Sequence, residues 1–369
     1  MSKKIRIIED ARMDCRAGIE TFLIDLFRNM DKEKFQIDFL RTNRNEGPFD
    51  AEIRKNGGNI YYIRPISWNP ISLYNHFSDL IDFLRQNDDI KVFHSHGNTA
   101  LSLINCFFAK KLRVPIVIGH SHNNSVGVLR TRIIHYCLRS ILRKSFDLRF
   151  ACSRQAWDWM FPNADKSTGR IIKNGINVDR FRYSEAKRDE MRARLDIQND
   201  FVLGCVGRLT QQKNQLFLLD LLPIILQRIP NAKLLLVGDG EMRDEIESIC
   251  KKKKISDKVQ ITGFVNNVSD YLQALDLFLL PSVWEGLGIC LIEAQTAGLP
   301  CVVSDAIAPE AIVTENVYKL PLANNETQWV NTINEIAVSY SRQDQTDLIR
   351  SHGYDLKSSV NEIANLYKM

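Results

Sequence analysis

Short apolar runs alternate with longer amphipathic stretches along this chain, and the alternation begins twice. Residues 5–8, 35–40, 60–63, 92–94, 116–119 and 148–151 read as strands in the first half. Residues 202–206, 233–237, 259–262, 277–280 and 301–304 read as strands in the second, with helical patterns between most of them. Apolar strands separated by amphipathic helices form a parallel sheet covered on both faces. Two such series imply an α/β chain of two doubly wound domains, and 369 residues are too many for one ordinary core. A cleft between the domains is expected. Residues 174–194 are polar and charged, which sets a boundary near 180 and gives domains 1–180 and 181–350. In 351–369, Tyr354, Leu356, Val360, Ile363, Leu366 and Tyr367 outline an amphipathic helix, expected to pack back towards the first domain.

Composition removes several function classes. No apolar run reaches the ~18 residues of a membrane span. The start is basic and then apolar, but Glu9 and Asp10 interrupt it before a signal core forms, so a cytoplasmic protein is expected. Eight cysteines, at 15, 106, 137, 152, 205, 250, 290 and 301, are scattered without a C-x-x-C pair and read as buried, reduced thiols. A net charge of +5 is too modest for a dedicated nucleic-acid binder. The lysine run 251–254 reads as a solvated helix face. The stretch 129–144 differs: Arg130, Arg132, Arg139, Arg143 and Lys144 alternate at helical spacing with Leu129, Ile133, Ile134, Cys137, Leu138, Ile141 and Leu142. Such a helix suits an anionic membrane surface or a lipid-linked substrate, and peripheral association at the inner face of the cell membrane is expected through it.

In a parallel sheet, ligands bind beyond the carboxyl ends of the strands. After Val206, Arg208 and Lys213 place two cations between a strand end and a helix start, an arrangement that suits a diphosphate as well as a plain surface turn. Gly238, Asp239 and Gly240 allow close backbone approach after the next strand. The most informative segment is 281–300. Gly286, Leu287, Gly288 and Ile289 lead into a helix whose free amides suit phosphate, with Glu285 in the loop and Glu293 in the helix. Carboxylates accept two hydrogen bonds from vicinal hydroxyls, so one of the pair suits a sugar and the other a ribose. In the first half, Arg16, Ala17, Gly18, Ile19 and Glu20 precede a helix over 21–30, and Gly18 lets that loop approach a phosphate. His94, His96, His120 and His122, four of the seven histidines, fall at strand carboxyl ends. Neither a cysteine nor a carboxylate adjoins these pairs along the chain and there is no Asp-x-Asp, so a metal site is not expected.

Together these residues closely resemble the GT-B fold family of retaining glycosyltransferases called family 4, or group 1, and within it the capsular and exopolysaccharide enzymes. The resemblance covers nearly the whole chain. It rests on Glu285 and Glu293 with their spacing, on Gly207, Arg208, Leu209, Lys213 and Asn214, and on Lys173, Asn174, Gly175, Ile176 and Asn177. Gly263, Phe264, Val265 and the paired histidines support it. It implies two Rossmann-like domains, the first binding a glycan or lipid-linked glycan acceptor and the second a nucleoside-diphosphate sugar, the nucleoside being uridine. No cofactor is implied. Arg208 and Lys213 would hold the diphosphate in place of a divalent cation, Glu293 the ribose, and Glu285 with the amides of Gly286, Leu287, Gly288 and Ile289 the sugar. Val265 would meet the base through its backbone, and Gly18 would reach the diphosphate on domain closure. A histidine near the reacting centre is also implied. His120 and His122 both fit, with His122 favoured.

Two departures from the family pattern stand out. Ala17 replaces one of two successive loop glycines, and Pro223 is expected to kink the helix after Lys213. Two other functions share these motifs: a sugar-nucleotide epimerase of the same fold, and an inactive nucleotide-sugar-binding subunit.

Overall fold

The computed structural model describes residues 4–13, 18–67, 69–126, 128–323, 325–339 and 342–369. It divides into two compact units, Met1–Gly175 with Leu356–Met369, and Ile176–Asp355. Arg16 and Ala17 of the first loop, and Cys15, lie outside the described residues.

The first unit is built on β1 (Ile5–Asp10), β2 (Phe35–Arg41), β3 (Ile60–Tyr62), β4 (Ile90–Gly97), β5 (Ile116–Ser121), β6 (Leu148–Ala151) and β7 (Gly169–Ile171). All pair in parallel in the order β3-β2-β1-β4-β5-β6-β7. The second unit has β8 (Phe201–Val206), β9 (Ala232–Val237), β10 (Val259–Ile261), β11 (Leu277–Leu280), β12 (Cys301–Ser304) and β13 (Val317–Leu320). Its parallel order is β10-β9-β8-β11-β12-β13. In each sheet the chain winds outward to one side and then returns to the other, so the order reverses between β1 and β4 and between β8 and β11. Crevices at such reversals are where doubly wound sheets bind ligands.

The central strands are apolar and buried, as continuous apolar runs require. Two edge strands went unread. β7 is three residues long with Arg170 exposed, and β13 exposes Tyr318 and Lys319 and buries only Leu320. An edge strand buries too little side chain to leave an apolar run.

One helix differs from expectation in its bounds. The first runs Gly18–Asn29, so Gly18 is a helical residue. Gln215–Arg228 contains Pro223 without ending at it. The missing N–H costs one backbone bond, and buried Leu218, Leu219, Leu221, Leu222 and Ile225 hold the helix down. The last helix, Leu356–Leu366, packs against Gly18–Asn29, with Val360, Ile363 and Tyr367 in the core of the first unit. Among the described cysteines six are buried, but Cys137 is exposed, because it lies on the outward side of the helix Leu129–Leu142.

Candidate active site

At the carboxyl edge of the second sheet, glycines let adjacent turns touch. Gly207 and Gly238 have φ of 147° and 143°, and a Cβ on Gly238 would stand 2.2 Å from the Gly207 carbonyl oxygen. Backbone bonds from Gly207 N–H to Val237 O (3.0 Å) and Leu209 N–H to Asp239 O (3.0 Å) join the two turns. On the far side of β9, Gly263 bridges Gly238, and Val265 follows half-buried.

Across the β8/β11 reversal, Lys213 Nζ lies 2.7 Å from Glu285 Oε1, both side chains largely shielded. Three further bonds fix the two loops that carry them. Val283 N–H donates to Gln212 O (2.8 Å), Gln212 Nε2 to Trp284 O (3.0 Å) and Asn214 Nδ2 to Pro281 O (3.1 Å). The Ser282 hydroxyl donates to Glu285 Oε1 at 2.9 Å. Burial works against the Lys213 charge, but Cys290 and Glu285 outweigh it and hold its pKa above the ordinary lysine range. Burial also pushes the Cys290 thiol up to about 11, so at neutral pH the thiol is uncharged and Glu285 is the operative partner. Arg208 stays exposed, 3.4 Å from Glu241. Gly288, at φ 81°, caps the helix Ile289–Thr296. Gly286 and Leu287 are buried, Ile289 is partly exposed, and Glu293 lies one turn into the helix, half-buried. Two cations thus follow β8, Arg208 exposed and Lys213 held beside the loop that leads into the helix Ile289–Thr296, a setting suited to a polyanion.

In the first unit, strand register gathers the histidines. Glu9 pairs with His94 and His96 with His120. Because side chains two apart share a face of a strand, Glu9, His94, His96, His120 and His122 form one patch. Phe22, one turn along from Gly18, packs its ring 5.6 Å from that of His120 and 5.8 Å from that of His122. Gly18 itself is exposed, and a Cβ there would meet nothing within 4 Å. Burial, with the neighbouring histidines, holds the pKa values of His120 and His122 well below the ordinary value, so both are neutral at pH 7. The expectation that no carboxylate adjoins the histidines is corrected here. Folding brings Glu9 Oε2 to 2.7 Å from His96 Nε2. His94, His96 and His120 bring one nitrogen each within 4.8 Å of one another, as metal ligands would. His96, however, already has both nitrogens engaged, by Glu9 and by His122.

Comparison with known proteins agrees with this geometry. The family model for glycosyl transferases group 1 matches residues 187–347, and that for glycosyltransferase family 4 matches residues 16–180. The chain belongs to the group 1, family 4 glycosyltransferases. It is 29% identical to the putative glycosyltransferase EpsF of Bacillus subtilis (strain 168), over 96% of this chain and 94% of that protein. It is 23% identical to an Escherichia coli UDP-Gal:alpha-D-GlcNAc-diphosphoundecaprenol alpha-1,3-galactosyltransferase, over 99% and 97%. Its fold matches that of Anabaena HepE, solved in complex with UDP and glucose, with a TM-score of 0.79 at 17% identity over 99% of both chains. The fold is GT-B, two parallel-sheet Rossmann-like domains.

Sequence reasoning about this glycosyltransferase missed four participants. Ser282 orients Glu285, Glu241 pairs with Arg208, and Glu9 with Tyr367 supports the histidines. Glu9 left one usable signal: a charged residue that follows the apolar pair Ile7 and Ile8 in a central strand is kept only where something pairs with it.

Proposed function

We propose that this glycosyltransferase moves a sugar, with retention and without a metal, from a UDP-sugar to a glycan or lipid-linked glycan in capsular or exopolysaccharide assembly. The Lys213–Glu285 pair across the β8/β11 reversal carries the reading, since it sets a fixed cation beside a helix start where a diphosphate would lie. In this reading Arg208 and Lys213 take the charge that develops on the leaving diphosphate, the part a divalent cation plays elsewhere. Glu285 and the amides of Gly286, Leu287, Gly288 and Ile289 hold the sugar. Glu293 holds the ribose, and Gly238 and the Val265 backbone approach the nucleotide. The first domain receives the acceptor, with Gly18 meeting the diphosphate and His122, or His120, at the reacting centre. Retention follows from front-face attack assisted by the leaving phosphate, as Glu285 is already engaged by Lys213 and Ser282 and makes a poor nucleophile. The UDP bound by HepE and the diphosphoundecaprenol acceptor in the E. coli relative's name support the donor and acceptor classes.

No helix among the described residues is long and apolar enough to cross a membrane. The helix Leu129–Leu142 exposes Leu129, Ile133 and Ile141 beside Arg130, Arg132, Arg143 and Lys144. We assign it to peripheral contact with an anionic leaflet at the cytoplasmic face.

A donor screen by mass spectrometry, with lipid extract as acceptor and EDTA present, tests the reading. Transfer with retained anomeric configuration is expected, and Lys213→Ala should lower it at least a hundredfold. Full activity of that variant, or conversion of donor to a new sugar nucleotide without acceptor, would overturn it.

A further inference from the structure

Glu9, the last residue but one of β1, lies at the reversal of the first sheet, and the proposed transfer makes no use of it. The Tyr367 hydroxyl donates to its Oε1 at 2.9 Å. At Oε2 lie His96 Nε2, 2.7 Å away, and His94 Nδ1, 3.3 Å away. Burial alone would raise the Glu9 pKa, but His94 and His96 bring it well below the usual carboxylate range, so the group is ionised.

An ionised carboxylate only accepts, so His96 carries its proton on Nε2. Burial and the adjacent His94 push the His96 pKa down to about 4, which leaves the ring neutral at pH 7 with a lone pair on Nδ1. The atom 2.9 Å from that lone pair is Nε2 of His122, which must therefore be the donor. His122 is left with its own lone pair on Nδ1, and that atom is buried with no hydrogen-bond partner among the described residues. Tyr367 gives its single proton to Glu9, so at 2.6 Å it accepts from His94 Nδ1, and Glu9 is held from both sides.

We propose that Glu9 is a positioning residue that acts through His96 to lock His122 as the Nε2–H tautomer, leaving Nδ1 as an acceptor for a substrate hydroxyl. The identity of the hydroxyl rests on the glycosyl-transfer reading above; the tautomer lock does not. A ring free to swap tautomers would also present N–H to the hydroxyl, and the hydroxyl would then accept where it should donate.

Long-range proton–nitrogen NMR of the full-length protein, labelled on histidine and held near pH 7.5, tests the lock without any substrate. His122 should show its proton on Nε2 in the wild type and a mixture of tautomers in Glu9→Gln. In assays with the proposed donor, Glu9→Gln should lower kcat about tenfold or more while donor KM moves less than about twofold. Tyr367→Phe keeps the Glu9–His96–His122 chain and should leave the His122 tautomer in place. A wild-type His122 protonated on Nδ1 overturns the proposal, and that measurement stands even if Glu9→Gln does not fold. So does an unchanged His122 signal in folded Glu9→Gln, or stoichiometric zinc in the purified protein, which would occupy the same lone pairs. Absence of sugar transfer with an intact tautomer pattern would instead sink the functional reading alone.

Discussion

Lys213 is charged where burial disfavours charge, and the site depends on that imbalance. Its ammonium has Glu285 Oε1 at 2.7 Å and Cys290 Sγ at 3.7 Å. Replacing it with methionine keeps the volume but strands a carboxylate that is 6% exposed, with the Ser282 hydroxyl left to donate to it. Breaking a buried pair in this way costs about 3–5 kcal/mol. Lys213→Met should lower the urea midpoint accordingly, and the double variant Lys213→Met/Glu285→Gln should recover most of the loss. A single variant as stable as the wild type would show that Glu285 finds water instead. The motif showed which residues matter here, but not that the two touch. Seven residues of chain separate Glu285 from Glu293 and set them on either side of one helix start, whereas contact between Lys213 and Glu285 depends on β8 and β11 being neighbours.

At the scale of the element, the helix Leu129–Leu142 exposes apolar side chains that an ordinary surface helix would bury. Its inward side is anchored by polar groups. His135 stacks on Trp159 at 3.9 Å, accepts from Ala100 N–H at 3.0 Å, and presents Nε2 to Trp159 O. Arg139 donates to the same carbonyl at 2.8 Å. Leu142 is buried beside them, but Ile133 and Ile141 are left outside, at 57% and 61% exposure. Periodicity revealed the stripe, since spacing is a local property. It gave no sign of which side faces in, because that depends on a tryptophan in another helix. Ile133→Glu/Ile141→Glu should cut cosedimentation with anionic vesicles at low salt about tenfold or more. Its thermal midpoint should stay near that of the wild type, since exposed substitutions cost within ~0.5 kcal/mol each. Undiminished vesicle binding would remove the helix from the membrane contact.

Across the whole molecule, buried imidazoles set the response to acid. Burial pushes His96 and His135 down to about 4 and keeps His120 and His122 well below the ordinary value. The unfolded chain protonates these rings below about pH 6.5, while the folded chain resists. Their contribution is therefore complete above that pH and lost as the pH falls. Asp10 opposes them. Burial raises it to about 6, although Ser95 and Asn105 donate to it, so between about pH 4 and 6 the folded state takes up a proton that the unfolded state does not. One carboxyl against four imidazoles leaves a net loss. Going from about pH 7.5 to 5.5 should cost on the order of 1 kcal/mol per histidine, read as a falling urea midpoint. A midpoint that holds or rises would mean that the cluster accepts protons while folded.

The sequence by itself determined the two parallel sheets, their helices and the family, because apolar periodicity and short motifs are local and survive without knowledge of the fold. It also marked out the segment around Glu285 and Glu293 as a ligand-facing helix start. Only the tertiary structure decided how the first unit supports its histidines. Glu9 and Tyr367 stand 358 residues apart, yet share a hydrogen bond, because the chain leaves the first unit after Gly175 and returns to it at Leu356. Such a contact has no periodicity and no spacing to betray it. It exists because strand order sets β1 beside β4, and because the final helix buries Val360, Ile363 and Tyr367 where Glu9 needs a donor.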